Sequence, residues 1–235
     1  MFSLNLLDTL AVGDEDYGTK TWAESRLNRL GELTGLKSFT LSGSRLTDTN
    51  VNGEPLPSNW AGLPLTSLSV NLASYSTPPP IINTMLQLAE LSLRENPSLI
   101  SWGDLAALVN ITSLDFISCT AVPAIAPPWL NNMPKCKLID IRGAFKTAER
   151  MSDFVLSFYN FVAANASMAA GNTQFRQFVL RLQEVTGSDG TVIPDGTYQQ
   201  PIGYTSVSNG NPISSLERIW VLANRYSHTI TYKTA

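Results

Sequence analysis

Few residues in this 235-residue sequence combine the types and spacing that catalysis or metal binding requires. His228 is the only histidine, and no G-x-S-x-G nucleophile motif accompanies it. Cys119 and Cys136 fit no CxxC or Cys/His pattern of the kind that binds zinc. Asp189 and Asp195 lie among glycines, but a calcium loop needs more oxygen ligands at tighter spacing, so they indicate turns. The sequence therefore predicts no catalytic residue, no metal site and no cofactor.

The composition favours a folded protein with a polar, weakly charged surface. Hydrophobic residues make up 43% of the chain, which is ample for a buried core. Charged residues make up only 15%, so Ser, Thr, Asn and Gln must supply much of the surface. The net charge is −3 with no block of Lys or Arg, which argues against binding to nucleic acid or anionic membranes. The apolar stretch 154–170 is too polar to span a membrane, and the first residues do not read as a signal peptide.

An apolar pattern recurs from the stretch "LTGLKSFTLSGSRL", residues 33–46, onward. Each copy has an apolar residue, a second one three positions later, a third after two more, and a small or polar residue after a further three. The copies are separated by 29, 23, 23 and 25 residues, and internal repetition of this kind predicts a stack of similar units. Their positions are Leu36/Phe39/Leu41/Ser44, Leu65/Leu68/Val70/Ala73, Leu88/Leu91/Leu93/Asn96, Ile111/Leu114/Phe116/Cys119 and Cys136/Ile139/Ile141/Ala144.

Each copy predicts a short strand followed by a sharp turn, because the two last apolar positions alternate as in a half-buried strand. We expect Asn96, at the final position of the third copy, to point inward and bond to the backbone of the turn. Cys119 holds the same position in the fourth copy and is expected to do this less well.

The repeat resembles the leucine-rich repeat family, whose pattern is LxxLxLxx(N/C), over five copies between about Leu33 and Ala144. The third and fourth copies match best, and Asn96 alone is the asparagine of the family. The resemblance implies an α/β solenoid, with a parallel β-sheet on the concave face and helices and loops on the convex face.

The predicted organisation has three parts: an N-terminal cap over 1–32, repeats over 33–145 and a C-terminal cap over 146–235. In the C-terminal part, apolar spacing predicts a helix over 146–164, and alternation in "FRQFVLRLQ" predicts a strand. Ser214 and Glu217 form a capping box before a second helix, and "HTITYK" predicts a last strand. The cap is thus two degenerate helix–strand units that continue the sheet, with a long turn-rich loop over 186–213 between them.

Residues that alternate with the buried positions are predicted to form columns on the concave face. The charged part of these columns contains Arg94, Asp115, Asp140 and Arg142, next to Ser92. Charged ladders on a rigid scaffold give orientation and specificity, so these five residues are the predicted binding surface. The alternative is a solvated face whose charges pair with each other.

The loop over 186–213 is a second candidate, because long loops inside compact domains are often functional. Tyr198, Gln199 and Tyr204 have side chains that stack on and hydrogen-bond to a sugar or peptide. The alternative is that these aromatic residues pin the loop to the body of the protein.

Taken together, these features predict a non-enzymatic recognition or assembly protein whose partner is another protein or a cell-surface glycan. The last 25 residues resemble terminal segments of bacteriophage tail and fibre proteins, which implies a virion location, host attachment, and a homo-oligomer with virion neighbours. One alternative is a bacterial or eukaryotic leucine-rich-repeat adaptor, cytoplasmic or secreted by an unrecognised route. Another is an enzyme with its site in the C-terminal loop.

Overall fold

The computed structural model of the chain describes residues 8–13, 31–42, 56–166, 178–182 and 192–232. The fold is α/β, with a parallel sheet of eight strands and few helices. The chain divides into two compact units, one formed by Met1–Val122 with Trp129–Cys136 and the other by Pro123–Pro128 with Lys137–Ala235. The predicted α/β class and parallel sheet are confirmed.

The first unit contains five of the parallel strands, which pair with each other in chain order. Phe39 pairs with Leu68, Leu68 with Leu91, and Leu91 with Leu114, so the residues aligned by the repeat lie side by side. The side chains at these positions are buried, which explains why an apolar residue recurs there. The strands are β1 (Thr9–Gly13), β2 (Ser38–Ser42), β3 (Ser67–Asn71), β4 (Glu90–Ser92) and β5 (Ser113–Asp115).

The connections between these strands use 3-10 helices and turns. Short 3-10 helices cover Ser58–Gly62 and Pro80–Thr84 in these connections and Pro128–Asn132 after β5, and each directly follows a proline. Proline fits the start of a helix, so these prolines mark where the 3-10 helices begin. Two buried tryptophans pack edge-on in this unit: Trp60 lies 5.0 Å from Phe39 of β2 between ring centres, and Trp102, in a turn segment, lies 5.1 Å from Phe116, which directly follows β5.

The turns after β3, β4 and β5 repeat the same backbone conformation. Leu72, Glu95 and Ser118 occupy equivalent positions in three successive copies, with φ of 55°, 55° and 59°. Left-handed backbone costs a non-glycine residue roughly 1–2 kcal/mol, so the surrounding contacts must stabilise it. At the equivalent position of the next copy, in the second unit, Gly143 adopts φ of 69° without that cost.

In two copies the side chain after the left-handed position is buried and bonds to backbone carbonyls: Asn96, as predicted, and Cys119. The Nδ2 group of Asn96 donates to the carbonyls of Leu93 at 2.8 Å, Arg94 at 3.1 Å and Val70 of the preceding copy at 3.2 Å. The thiol of Cys119 donates in the equivalent way to Leu93, at 2.9 Å. Each bond to the preceding copy joins two neighbouring turns of the chain.

The second unit alternates helices with strands, as predicted. Its three strands are parallel and pair in the order β6, β7, β10, with one helix in each connection and an antiparallel hairpin before the second helix. The strands and helices are β6 (Leu138–Asp140), α1 (Ala148–Asn165), β7 (Val179–Arg181), β8 (Tyr204–Thr205), β9 (Ser208–Asn209), α2 (Ser215–Asn224) and β10 (Thr229–Thr231).

Local sequence signals explain both helices. Thr147 caps α1, its hydroxyl accepting a hydrogen bond from the N–H of Arg150 at 3.3 Å. The predicted capping box is present at α2: Ser214 accepts from the N–H of Glu217, and Glu217 accepts from the N–H of Ser214. The predicted apolar face of α1 is buried at Met151, Phe154, Val155, Phe158 and Val162.

Two sequence-based expectations fall partly outside the described residues. The predicted N-terminal cap over 1–32 is described only over 8–13 and 31–32, and β1 is the described strand in that region. The predicted loop over 186–213 is described from 192, and it contains the hairpin of β8 and β9 where only turns were expected. In the part of the chain that the structure describes, no helix is both long and apolar enough to cross a membrane.

Replacing Asn96 tests the bonds between neighbouring turns. Asn96→Ala removes the buried donor from three carbonyls, and we expect a loss of about 2–3 kcal/mol in the free energy of unfolding. Asn96→Cys places a thiol at this position, the donor that Cys119 supplies in the next copy. We expect this variant to lose only about 1 kcal/mol in the free energy of unfolding. Guanidinium denaturation followed by tryptophan fluorescence measures both. Equal losses for the two variants would show that the bond to the preceding copy contributes nothing.

Candidate functional site

Alternation along the strands of the first unit leaves one face of the sheet polar. In β3, Leu68 and Val70 are buried, while Ser67, Ser69 and Asn71 point the other way and remain half-buried. The same alternation governs β4 and β5. The polar face is therefore a direct consequence of the apolar repeat.

This face contains an open groove of about 280 Å³, called here the polar groove. Three neighbouring strands build its polar lining, together with one residue that follows β4. The lining residues are Ser67, Ser69 and Asn71 of β3, Glu90, Ser92 and Arg94 in and after β4, and Ser113 and Asp115 of β5. Three of the five predicted binding residues on the repeats, Ser92, Arg94 and Asp115, thus lie together.

Hydrogen bonds between strands hold several groove residues in place. The Oδ1 atom of Asn71 accepts from the hydroxyl of Ser92 and from the N–H of Arg94, each at 3.2 Å. The hydroxyl of Ser67 donates to Glu90 at 3.3 Å. These contacts pre-organise the groove, since a ligand does not have to order the side chains that are already bonded.

An ion pair lies at one end of the groove. The Nε group of Arg94 donates to Oδ2 of Asp115 at 2.5 Å, and Oδ1 of Asp115 accepts from the N–H of Ile117 at 3.1 Å. The side chain of Arg94 is 43% exposed and that of Asp115 is 19% exposed, so the pair is accessible to a ligand and contributes little to stability. Its value lies in fixing the direction of both groups.

Asp140 and Arg142, the other two predicted residues of the charged columns, belong to the second unit. Arg142 donates to both carboxylate oxygens of Asp140 at 2.8 Å, and Arg181 adds a third bond at 3.2 Å. Asp140 is buried, so the two guanidinium groups replace the water that its carboxylate loses. Arg181 was not among the residues predicted from the sequence to form this charged cluster. Its position between Leu180 and Leu182 in an alternating strand was the available signal.

The loop residues contact the body of the second unit. The Nε2 group of Gln199 donates to Glu217 at 3.0 Å, and the ring of Tyr204 packs edge-on against Trp220 at 4.9 Å. Bonds from Gln199 and from the N–H of Ile213 lower the pKa of Glu217. The contact of Tyr204 with Trp220 fits the alternative in which the aromatic residues pin the loop, and Gln199 adds a hydrogen bond to the same helix.

Tyr198 is 45% exposed, and Gln199 is exposed too, whereas Tyr204 is half-buried. The hydroxyl of Tyr198 accepts a bond from Asn224 at 3.4 Å, and its ring lies 6.5 Å from that of Tyr232. Of the two predicted loop tyrosines, Tyr198 has more surface left for a partner.

Arg225 stabilises the hairpin within this loop. Its guanidinium group donates to the carbonyls of Ser206 at 3.1 Å and Ser208 at 2.6 Å, and also to that of Thr205. It also lies over the ring of Tyr204, 4.6 Å from its centre. A single side chain on the segment after α2 therefore fixes the hairpin that precedes the helix.

His228 and the cysteines are buried rather than gathered at a cleft. The Nδ1 atom of His228 accepts a hydrogen bond from the N–H of Phe178 at 2.9 Å, which requires a neutral ring. Burial lowers the pKa of His228 from 6.5 to about 4 and raises the pKa of the Cys119 thiol to about 12. Cys136 is also buried, and the described residues contain no cluster of three or more His, Cys, Asp and Glu that could hold a metal.

Comparison with known proteins leaves the geometry as the guide to function, because no protein-family model matches the chain and no curated protein is significantly similar to it.

The neutral state of His228 makes the stability of the second unit dependent on pH. In the unfolded chain the ring of His228 takes up a proton near pH 6.5, and in the folded chain only near pH 4. The stabilisation that the neutral ring provides is therefore fully present above pH 6.5. As the pH falls from 6.5 to 4, we expect a loss of up to about 3 kcal/mol in the free energy of unfolding.

The matched variant is His228→Asn, whose Oδ1 can accept from the N–H of Phe178 but cannot take up a proton. We expect this variant to be less stable than the wild type at neutral pH, because it loses packing contacts of the ring. Between pH 6.5 and 4 we expect its free energy of unfolding to change less with pH than that of the wild type. Urea denaturation at a series of pH values measures this difference. A variant that loses as much stability as the wild type over this interval would show that other groups cause the pH dependence.

Proposed function

We propose that the protein is a non-enzymatic recognition protein of the leucine-rich-repeat type, which binds its partner on the polar face of its parallel sheet. The observation that carries this proposal is the polar groove. It places hydroxyl, amide, carboxylate and guanidinium groups on a rigid sheet face that is open to solvent. Binding residues are effective when a packed scaffold fixes their positions, and the strand register does so here.

The repeat geometry supports the leucine-rich-repeat assignment. The left-handed residues Leu72, Glu95 and Ser118 follow the repeat of the sequence. Asn96 and Cys119, at the asparagine or cysteine position of the family pattern, bond to equivalent carbonyls of the preceding copy. In a true repeat, equivalent sequence positions have the same structural role in successive copies, as they do here.

The chemistry of the groove supports binding more than catalysis. General acid–base chemistry needs a group whose pKa is matched to proton transfer, and nucleophilic chemistry needs an activated nucleophile. The polar groove contains neither histidine nor cysteine, and its Asp115 carboxylate is bonded to Arg94. His228 and Cys119 are committed to buried hydrogen bonds.

Two settings are compatible with this proposal, and they differ in assembly. As a virion component the protein is expected to form a closed symmetric oligomer, whereas an adaptor is expected to be a monomer. Size-exclusion chromatography with light scattering measures the mass in solution. We expect a stable trimer or higher closed oligomer, as the virion proposal requires; a monomer at all concentrations would favour the adaptor.

Blocking the groove tests the proposed binding face. Ser92→Trp fills the groove from an outward position without changing the buried face of β4, and Val109→Trp places the same side chain at an exposed site on a connection of the same unit. We expect Ser92→Trp to weaken binding by roughly tenfold or more, about 1.4 kcal/mol, and Val109→Trp to leave it unchanged.

The immobilised wild type is screened against an oligosaccharide array and a displayed random-peptide library, and each binder is then titrated against both variants. Thermal unfolding checks that the variants remain folded. If every binder tolerates Ser92→Trp, or if none is found, the polar face is not the recognition surface.

A further inference from the structure

We infer that the polar groove binds a neutral saccharide segment, an inference that rests on the proposed recognition function and names its ligand class. The evidence is the side-chain inventory of the groove, its unused hydrogen-bonding groups and its charge.

The inventory does not suit the centre of a protein–protein interface. Such centres are enriched in Tyr, Trp, Phe, Met and Arg and depleted in Ser, Asp and Glu, and their strongest contacts are aromatic or arginine anchors in dry pockets. The groove has four serines, two carboxylates and no aromatic residue, and its one arginine is already paired with Asp115. A protein partner would find many polar groups to desolvate and no apolar anchor.

The unused groups match a polyhydroxylated ligand. Within the described part of the chain, no residue bonds to the hydroxyls of Ser69 and Ser113 or to the amide nitrogen of Asn71. A sugar hydroxyl both donates and accepts, so it can satisfy serine hydroxyls, carboxylates, amides and a guanidinium group at once. Ser69 and Asn71 lie on β3 and Ser113 lies on β5, two strand spacings or about 9.6 Å away across β4, a distance that hydroxyls on neighbouring rings of one sugar chain can bridge.

The size of the groove limits how much of the ligand it holds. Its volume of about 280 Å³ lies near the lower end of ligand sites, which begin at about 300 Å³. It therefore accommodates one or two rings of a longer chain, with the rest of the ligand in solvent.

The charge of the groove selects against acidic sugars. Arg94 neutralises Asp115, while Glu90 is exposed and receives only the 3.3 Å bond from Ser67. The net charge of the groove is therefore −1, which repels sialic acid and uronic acid and leaves neutral saccharides favoured.

The experiment titrates the full-length protein, observed by two-dimensional NMR, with lactose, maltose, cellobiose and chitobiose, and with sialyllactose as the acidic probe. We expect at least one neutral probe to bind, with a Kd on the order of 1 mM, and to shift signals of Ser69, Ser92 and Ser113. The double variant Ser69→Ala/Ser113→Ala is expected to weaken that binding about threefold to tenfold, because it removes only two hydroxyl groups. Ser58→Ala, at an exposed position on a connection of the same unit, is the matched control and should bind as the wild type does.

Glu90→Gln tests the charge argument separately from the fold. It preserves the size of the side chain, so neutral binding should persist within about twofold while sialyllactose gains affinity relative to its neutral counterpart lactose. Unchanged discrimination in this variant would overturn the charge argument.

The outcomes separate this inference from the proposed function. Peptide binders that are sensitive to Ser92→Trp, without any saccharide binding, would retain the proposed function and overturn the saccharide inference. A preference of the wild type for acidic sugars would also overturn it. Absence of any groove-dependent binder would overturn both.

Discussion

The turn that follows each strand is the constraint on which the repeat depends. There the chain reverses direction with a left-handed residue, and carbonyl groups of the turn face the interior, where water cannot reach them. Asn96 stabilises this arrangement with a buried side-chain donor, and Cys119 does so with a weaker one. Ala73 and Ala144 hold the same position in their copies and have no side-chain donor. The side-chain contribution to the turn therefore differs from copy to copy, and among these copies Asn96 makes the most bonds.

The same constraint explains why one face of the sheet can be so polar. Because the register is fixed by buried apolar residues and turns, the outward positions are free of any structural requirement for bulk or hydrophobicity. Ser69, Ser92 and Ser113 occupy them without weakening the core. Small polar side chains lose little conformational entropy when a ligand binds. A face built from them therefore binds a ligand with only a small entropic cost.

The periodic features of the fold were predictable from sequence, and the features that depend on distant partners were not. The alignment of Phe39 with Leu68 is predictable because the apolar pattern repeats along the sequence. The capping box of Ser214 and Glu217 is predictable because its two residues are only three positions apart. Asp140 and Arg181, by contrast, lie 41 residues apart and meet only because β6 and β7 pair on either side of α1. The hairpin of β8 and β9 is held by Arg225, which follows it in the chain and lies beyond any turn motif. The division into two units also had no signal, since the repeat continues through Ala144.

The division of the chain changes how the predicted binding surface should be understood. Sequence reasoning joined Arg94, Asp115, Asp140 and Arg142 into one charged ladder, but the first two belong to one unit and the last two to the other. The two clusters differ in sign: the polar groove has a net charge of −1, whereas Asp140 with Arg142 and Arg181 has a net charge of +1. They differ in burial too, because Asp115 remains accessible and Asp140 is enclosed by its partners. Removing the Asp140 carboxylate would leave two guanidinium groups without their buried counter-ion, a structural change. Removing the Asp115 carboxylate would alter an accessible ion pair and leave the core intact. A substitution in the groove of the first unit therefore tests binding without the structural change that a substitution of Asp140 would cause.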